Sequence, residues 1–217
     1  MPAELKDFNT REEWLSARTS YIGGSDASAI VGMNPYKTNI ELWEEKRGIA
    51  QPKDISDEEL VKFGHDAESH LREMFKLDYP QYKVGYRENN IFLNPKYPFA
   101  HASLDGWLED ENGRKGVLEI KTTSILQSMQ KEKWKDRIPD NYYCQVLHYL
   151  MVTEWDFAIL KARLKYNYGN NVSVSIKHYV IEREDVIEDI KYLQEKEEKF
   201  YQCIKEGIRP SLVLPTI

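Results

Sequence analysis

The chain has 217 residues, 41% of them hydrophobic and 12% aromatic, which suits one folded domain with a substantial core and excludes a disordered or low-complexity chain. No apolar stretch approaches a membrane span, and Met1 to Thr10 is too polar and acidic for a signal peptide, so a cytoplasmic protein with no membrane contact is expected. The net charge of -6 is the reverse of what a protein gripping a polyanion commonly shows, although net charge averages over surfaces that never touch a ligand.

In chain order, helices are predicted at Thr10 to Arg18, Ser25 to Val31 and Thr38 to Arg47, with a loop from Ile49 to Ile55. Between the first two helices, Gly23 and Gly24 let the backbone approach a ligand closely, and the helix begun by Ser25 offers unpaired N–H groups to an anion. That is a plausible phosphate cradle; equally, Ser25 is an N-cap and the glycines a turn. Ser56-Asp57-Glu58-Glu59 reads as a capping box for a helix from Asp57 to Leu77, with Leu60, Phe63, Ala67, Leu71, Met74 and Phe75 at helical spacing. Glu68 lies within it, where a glutamate is ordinarily solvated.

Strands follow at Lys83 to Leu93, His101 to Leu108 and Gly116 to Thr122, the last two joined by a turn from Glu109 to Arg114. Lys131, Lys133, Lys135 and Arg137 then form a basic run around Trp134, either a solvated loop or a surface that tracks a phosphate backbone. The acidity falls mainly in Glu41 to Glu59 and Glu182 to Glu198, remote in sequence from the hairpin. A helix from Asp140 to Val152 is almost wholly apolar between Tyr142 and Leu150, with Gln145 and Tyr149 one turn apart on one face. Such a glutamine needs a partner, either backbone or a bound phosphate or metal-bound water. Strands at Trp155 to Leu164 and Val172 to Ile181 flank the turn Tyr168-Gly169-Asn170-Asn171. A charged helix from Arg183 to Gly207 closes the chain, with Ile187, Ile190, Leu193 and Phe200 as its apolar stripe. Residues 1–217 thus form a single α/β domain with a central mixed sheet flanked by helices. Cys144 and Cys203 are most simply reduced core residues. The five histidines lack paired spacing, which argues against zinc, and His148 is read as a packing residue.

The hairpin carries the chemistry. Asp105 stands at the end of one strand and Glu119 fourteen residues on; Glu119 and Lys121 share a strand face, with Ile120 turned to the core. Carboxylates about 4 Å apart repel by roughly 4 kcal/mol at an effective dielectric near 20, so a buried acid pair calls for a cation or a shared proton. Mg²⁺ accepts one or two carboxylates together with phosphate oxygens, and Asp105, Glu119 and the backbone carbonyl of Ile120 suit it. Lys121 offsets charge and is placed to orient or help deprotonate an attacking water. The plain alternative is a surface hairpin with an ordinary Glu–Lys pair.

The order Gly64-x-x-x-Glu68, Asp105-Gly106, Glu119-x-Lys121 and Gln145-x-x-x-Tyr149 resembles the PD-(D/E)XK nuclease superfamily, and within it the YqaJ-like viral recombinases related to phage lambda exonuclease. The likeness runs from about Arg18 to Thr153, with Leu104 standing where the superfamily expects Pro. It implies a restriction-endonuclease-like fold, with Glu68, Asp105 and Glu119 as metal-site acids beside the Ile120 carbonyl, Lys121 as the catalytic lysine and Gln145 as an accessory active-site residue. By the same resemblance Arg18 and Ser25 bind a 5′-phosphate, with Gly24 and Tyr149 as accessory positions. The implied activity is a Mg²⁺-dependent 5′-to-3′ exonuclease, with Mn²⁺ as a substitute and one or two ions. It digests one strand of linear duplex DNA to leave a 3′ single strand for recombination. The implied assembly is a homotrimeric ring, encoded by a phage or prophage and partnered by a single-strand annealing protein. A repair or restriction endonuclease with the same cutting site, or a non-catalytic nucleic-acid-binding protein, stands as the alternative.

Overall fold

The computed structural model describes residues 2–55, 57–126, 128–168 and 171–214. Its elements in chain order are β1 (Glu4–Asp7), α1 (Arg11–Thr19), α2 (Gly24–Ile30), α3 (Asn39–Lys46), α4 (Glu59–Asp78), β2 (Lys83–Gly85), β3 (Asn90–Leu93), β4 (His101–Ala102), β5 (Gly106–Glu109), β6 (Lys115–Ile125), α5 (Ser128–Lys133), α6 (Asp140–Thr153), β7 (Phe157–Tyr168), β8 (Asn171–Glu182) and, after a 3₁₀ turn at Arg183–Val186, α7 (Ile187–Glu206). The central sheet runs β2-β5-β6-β7-β8, with a three-stranded sheet β1-β3-β4 beside it. Among the described strand pairs, β6 and β7 alone run parallel. A parallel pair requires a crossover, and α5 and α6 supply it, while the hairpin of β5 and β6 turns through Gly113 at φ +77°. The expected mixed sheet flanked by helices is therefore the observed architecture.

Two expected strands are each broken, and the break positions the site. The run Lys83 to Leu93 divides into β2 and β3, and the run His101 to Leu108 into β4 and β5, with one half of each in either sheet. Alternation along a strand is blind to a change of sheet, because each half keeps its own period of two. Ser103-Leu104-Asp105 is the crossing, so Asp105 is released from any ladder just where β5 begins. The short strand β1, paired with β3, and the helix α5 are additional to the elements expected from the sequence. α4 begins at Glu59 after an N-cap Glu58 without a side-chain capping bond. Ser56, and Gly169 and Asn170 of the final hairpin turn, lie outside the described residues.

The larger core fills the space between the central sheet, α2, α6 and α7, and α6 is buried along almost its whole length from Cys144 to Thr153. Ile190, Leu193 and Phe200 of α7 pack into it as expected. A smaller core lies on the other face, where Leu71 and Phe75 of α4 meet Leu108, Leu118, Ile120, Phe157 and Ile159. Leu60, Phe63 and Met74, predicted as part of the same buried stripe, are 61%, 44% and 44% exposed; the first two line a cleft instead of a core. Cys144 and Cys203 are free thiols, as expected. Among the described residues no helix is long and apolar enough to cross a membrane.

A buried histidine–glutamate contact and a buried lysine lie within these layers. His148 of α6 is completely enclosed, its Nδ1 at 2.8 Å from Glu197 of α7 and its Nε2 at 2.9 Å from the His101 carbonyl. It thus ties three elements together through polar contacts and is not the plain packing residue expected. Lys161 of β7 is likewise enclosed, its ammonium 3.5 Å from the half-exposed carboxylate of Asp78 and 5.7 Å from the Phe75 ring centroid. Burial pulls its pKa below the usual lysine value, so keeping it charged inside the fold costs stability. Lys161→Met should therefore stabilise the protein by about 1–4 kcal/mol at neutral pH, since Asp78 stays solvated when its partner is removed. Because the folded pKa lies below the unfolded one, the gain should shrink as pH rises toward about 10.4. Urea midpoints of the two proteins across pH 6 to 10 measure this, and a less stable variant would contradict it.

Candidate active site

Glu119 and Lys121 of β6 point toward α6, and Ile120 points into the smaller core under α4. Glu119 is 1% exposed; its Oε1 lies 2.5 Å from the Lys121 ammonium, and its Oε2 has no hydrogen-bond partner. Asp105 reaches the same point from the sheet crossing, its Oδ2 accepting the Ile120 N–H at 2.8 Å. Along a strand a residue's N–H and C=O point to the same edge, so the Ile120 carbonyl faces the edge that Asp105 occupies. The hairpin geometry expected from the sequence is therefore present, and the Glu–Lys pair is buried and not a surface pair.

Each acid here is disfavoured as an anion. Burial, and then the charge of Asp105, push Glu119 up to about 8 despite Lys121. Burial also raises Asp105, against the pull of Lys121, the Ile120 N–H and Arg72. Glu68 on α4 is raised by burial and then by Asp105. Lys121 goes the other way: burial opposes its charge, but Glu119 and Asp105 outweigh that and lift its pKa. It is held as an ammonium, so it donates and offsets charge; the expected share in taking a proton from water does not suit it in this state.

Arg72 is a neighbour of the acids that the sequence did not single out. Buried one turn beyond Glu68, it lies 3.1 Å from the Glu68 carboxylate and donates at 2.6 Å to the backbone carbonyl of Asp105, with its guanidinium over the Tyr86 ring. In sequence, Glu68 and Arg72 look like any solvated i,i+4 pair. Among the described residues no three His, Cys, Asp or Glu side chains form a group that could hold a metal ion: Arg72 holds Glu68 and Lys121 holds Glu119, so the expected three-acid set of Glu68, Asp105 and Glu119 is not assembled. The fit to a divalent cation rests instead on Asp105, Glu119 with its orphaned Oε2, and the Ile120 carbonyl. Mg²⁺ needs no more than one or two carboxylates when a phosphate supplies further oxygens.

Gln145 finds its partner in Tyr149, donating to the phenol oxygen at 2.9 Å. Tyr149 is buried, and burial followed by the charge of Glu119 raises its pKa, so it remains a neutral hydroxyl at the edge of the acid cluster. Gly24 packs on this pair: a Cβ there would lie 2.5 Å from the Tyr149 ring and 3.0 Å from Gln145. The accessory positions Gly24 and Tyr149 thus belong to one contact.

A cleft of about 980 Å³ opens on part of this cluster, lined among others by Ser25, Glu68, Asp105, Ile120, Lys121 and Tyr142. Ser25 is exposed in its wall, whereas Arg18 does not line it; the Arg18 guanidinium sits 4.4 Å from the Trp14 ring centroid. Burial and then the Arg18 charge push His101, which packs on Gly23, down to about 3. Arg18 therefore stands near the glycine turn from outside the cleft. Two sequence readings are corrected here. Glu58 and Glu59, counted as remote acidity, line the cleft, because α4 starts at its mouth. Trp134 is 4% exposed and anchors its segment, its carbonyl accepting from Lys177 and Tyr179, so it is not an aromatic on a basic surface.

The sequence profile of the YqaJ-like viral recombinase domain matches residues 13–156. Uncharacterized protein YqaJ of Bacillus subtilis (strain 168) is 36% identical over 189 residues, which is 87% of this chain and 55% of that protein, so the chain spans about half the length of this relative. Among solved structures, the alkaline exonuclease LHK-Exo from Laribacter hongkongensis superposes with a TM-score of 0.66 at 17% identity, over 91% of this chain and 94% of that one. The phage related exonuclease from Haemophilus somnus 129PT does so with a TM-score of 0.54 at 15% identity, over 86% and 96%. At these identities the structural likeness is one of fold.

Gly24→Ala should lower stability by about 1–3 kcal/mol, because the added methyl must displace the Tyr149 ring within a packed core. Chemical denaturation measures it, and an unchanged midpoint would show that the contact is loose.

Proposed function

This chain belongs to the YqaJ-like viral recombinase domain family, and from that premise we propose that it is a metal-dependent nuclease acting on the ends of linear duplex DNA. The observation that carries the proposal is the orphaned Oε2 of Glu119, a buried carboxylate oxygen without a partner, set beside Asp105 and Lys121. Buried polar atoms are nearly always satisfied, and an unsatisfied carboxylate next to a second acid is what a cation site looks like before loading. Asp105, Glu119 and the Ile120 carbonyl would hold Mg²⁺, or Mn²⁺ in its place, as one ion or two. Bound there, a divalent ion supplies Lewis-acid polarisation of a phosphate and a water of lowered pKa.

The chain's own residues supply the rest. Lys121, kept protonated, donates to a phosphate oxygen or the attacking water and offsets charge that develops at phosphorus. Arg72 fixes Asp105 through its backbone carbonyl and holds Glu68 beside it. Gln145 and Tyr149 do not line the cleft; hydrogen-bonded to each other beside the acid cluster, they are assigned to support it from α6, with the neutral Tyr149 hydroxyl near Glu119. Ser25, in the cleft wall, and Arg18, near the glycine turn, are assigned to a terminal 5′-phosphate. On this reading one strand is digested 5′ to 3′, leaving a 3′ single strand for recombination. A homotrimeric ring and a phage single-strand annealing partner are part of the same proposal.

Digestion of linear duplexes phosphorylated at one chosen 5′ end tests activity, polarity and end recognition together. Release of nucleotides should require Mg²⁺ or Mn²⁺, and closed circular duplex should stay intact; nicking of the circle would favour an endonuclease. Asp105→Asn and Lys121→Ala should each lower kcat by at least about 100-fold, with duplex binding retained. Normal cutting by both variants would make the assigned chemistry wrong. Arg18→Ala should reduce the preference for 5′-phosphate over 5′-hydroxyl ends, and equal loss on both substrates would remove Arg18 from that role.

A further inference from the structure

Beyond Ile120, β6 and β7 carry two cross-strand rows on the face toward α4: Thr122 opposite Arg163, and Ser124 opposite Lys165. Ile120 and Ile159 fix that facing, since both pack in the smaller core under α4 and the residues at two-residue steps follow them. The place of α4 above these rows agrees: a Cβ at Gly64 would lie 3.2 Å from the Thr122 hydroxyl, and the Arg163 guanidinium lies 4.9 Å from the Phe63 ring centroid. All four side chains line the cleft that opens on Glu68 and Asp105.

Charge sets these rows apart from the rest of the cleft. Lys37 is paired with Glu45 at 2.6 Å, Lys53 with Glu58 at 3.4 Å, and Lys121 with Glu119. Arg163 and Lys165 have no carboxylate within ion-pair distance among the described residues, in a chain where 36 acids face 30 bases. Two unneutralised cations in one wall, each level with a hydroxyl donor, are a site for an anion that repeats. At about 3.3 Å per residue the rows stand roughly 7 and 13 Å beyond Ile120, whose N–H holds Asp105. One row therefore serves about every two stacked nucleotides, at 3.4 Å per step along a strand.

We propose that Thr122 with Arg163, and Ser124 with Lys165, form a track that binds phosphates of the nucleic-acid strand leading away from the acid cluster; this rests on the nuclease reading and gives it its substrate-holding residues. The guanidinium over Phe63 keeps its in-plane N–H donors for phosphate oxygens. Nothing in either row reads a base edge, so the contact is independent of sequence. The basic run from Lys131 to Arg137, read from the sequence as either a solvated loop or a phosphate-tracking surface, does not line the cleft.

Binding to a linear duplex, measured with Ca²⁺ present over a range of KCl concentrations, tests the track. Arg163→Gln and Lys165→Gln should each reduce the slope of log K against log salt by about 1, and the double variant by about 2, equally on unrelated sequences. At 0.15 M salt each should weaken binding roughly fivefold. Arg163→Lys and Lys165→Arg should restore the slope, which a merely structural role would not predict. If the parent binds and cleaves duplex DNA while both Gln variants keep its slope, the track is overturned and the nuclease reading stands. If the parent neither binds nor cleaves, the nuclease reading falls and the track falls with it.

Discussion

The site depends on the burial of Glu119 beside Asp105, with one ammonium between water and both. Taking a carboxylate out of water is costly, and a second acid alongside raises the cost, so the cluster tolerates its charge only through Lys121, the Ile120 N–H and Arg72. Even so, Glu119 keeps one oxygen without a partner. A fold optimised for stability alone would have filled that position with a hydrophobic side chain. On the proposed function, an external cation and a phosphate would complete the polar cluster.

That constraint explains the arrangement around it. Asp105 can turn to the Ile120 N–H because the chain leaves one sheet and enters the other at Ser103-Leu104-Asp105, which frees it from a ladder. The crossover that makes β6 and β7 parallel is the same helix, α6, that brings Gln145 and Tyr149 against the cluster. Gly24 then admits the tyrosine ring, so the first glycine turn of the chain and the middle of α6 are shaped to each other. The enclosed His148–Glu197 pair ties α7 and α6 to the carbonyl of His101, four residues before Asp105. The geometry of the acid cluster and the packing of the core are in this way parts of one structure, with α6 shared by both.

The sheet also gives the cleft a direction. The acids lie near the level where β5 meets β6, and the unpaired cations lie farther along β6 and β7, so charge changes from negative to positive along one wall. The chain's negative total charge conceals this, because the sum counts Glu197 in the core and solvated acids on α7 alike.

The sequence by itself determined the periodic elements and the pairing of Glu119 with Lys121, because alternation and turn chemistry are local properties written in adjacent residues. It also determined that Gln145 and Tyr149 share a helix face, since that needs only a period of 3.6. What the tertiary structure alone decided is which elements change sheet, which acids are buried, and which cations lack partners. Arg72, Arg163 and the exposed Leu60 and Phe63 look in sequence like an ordinary surface pair, a strand residue and a core stripe. Their roles come from the closing of α4 over β6 and β7, a contact between segments tens of residues apart, and no local pattern encodes it.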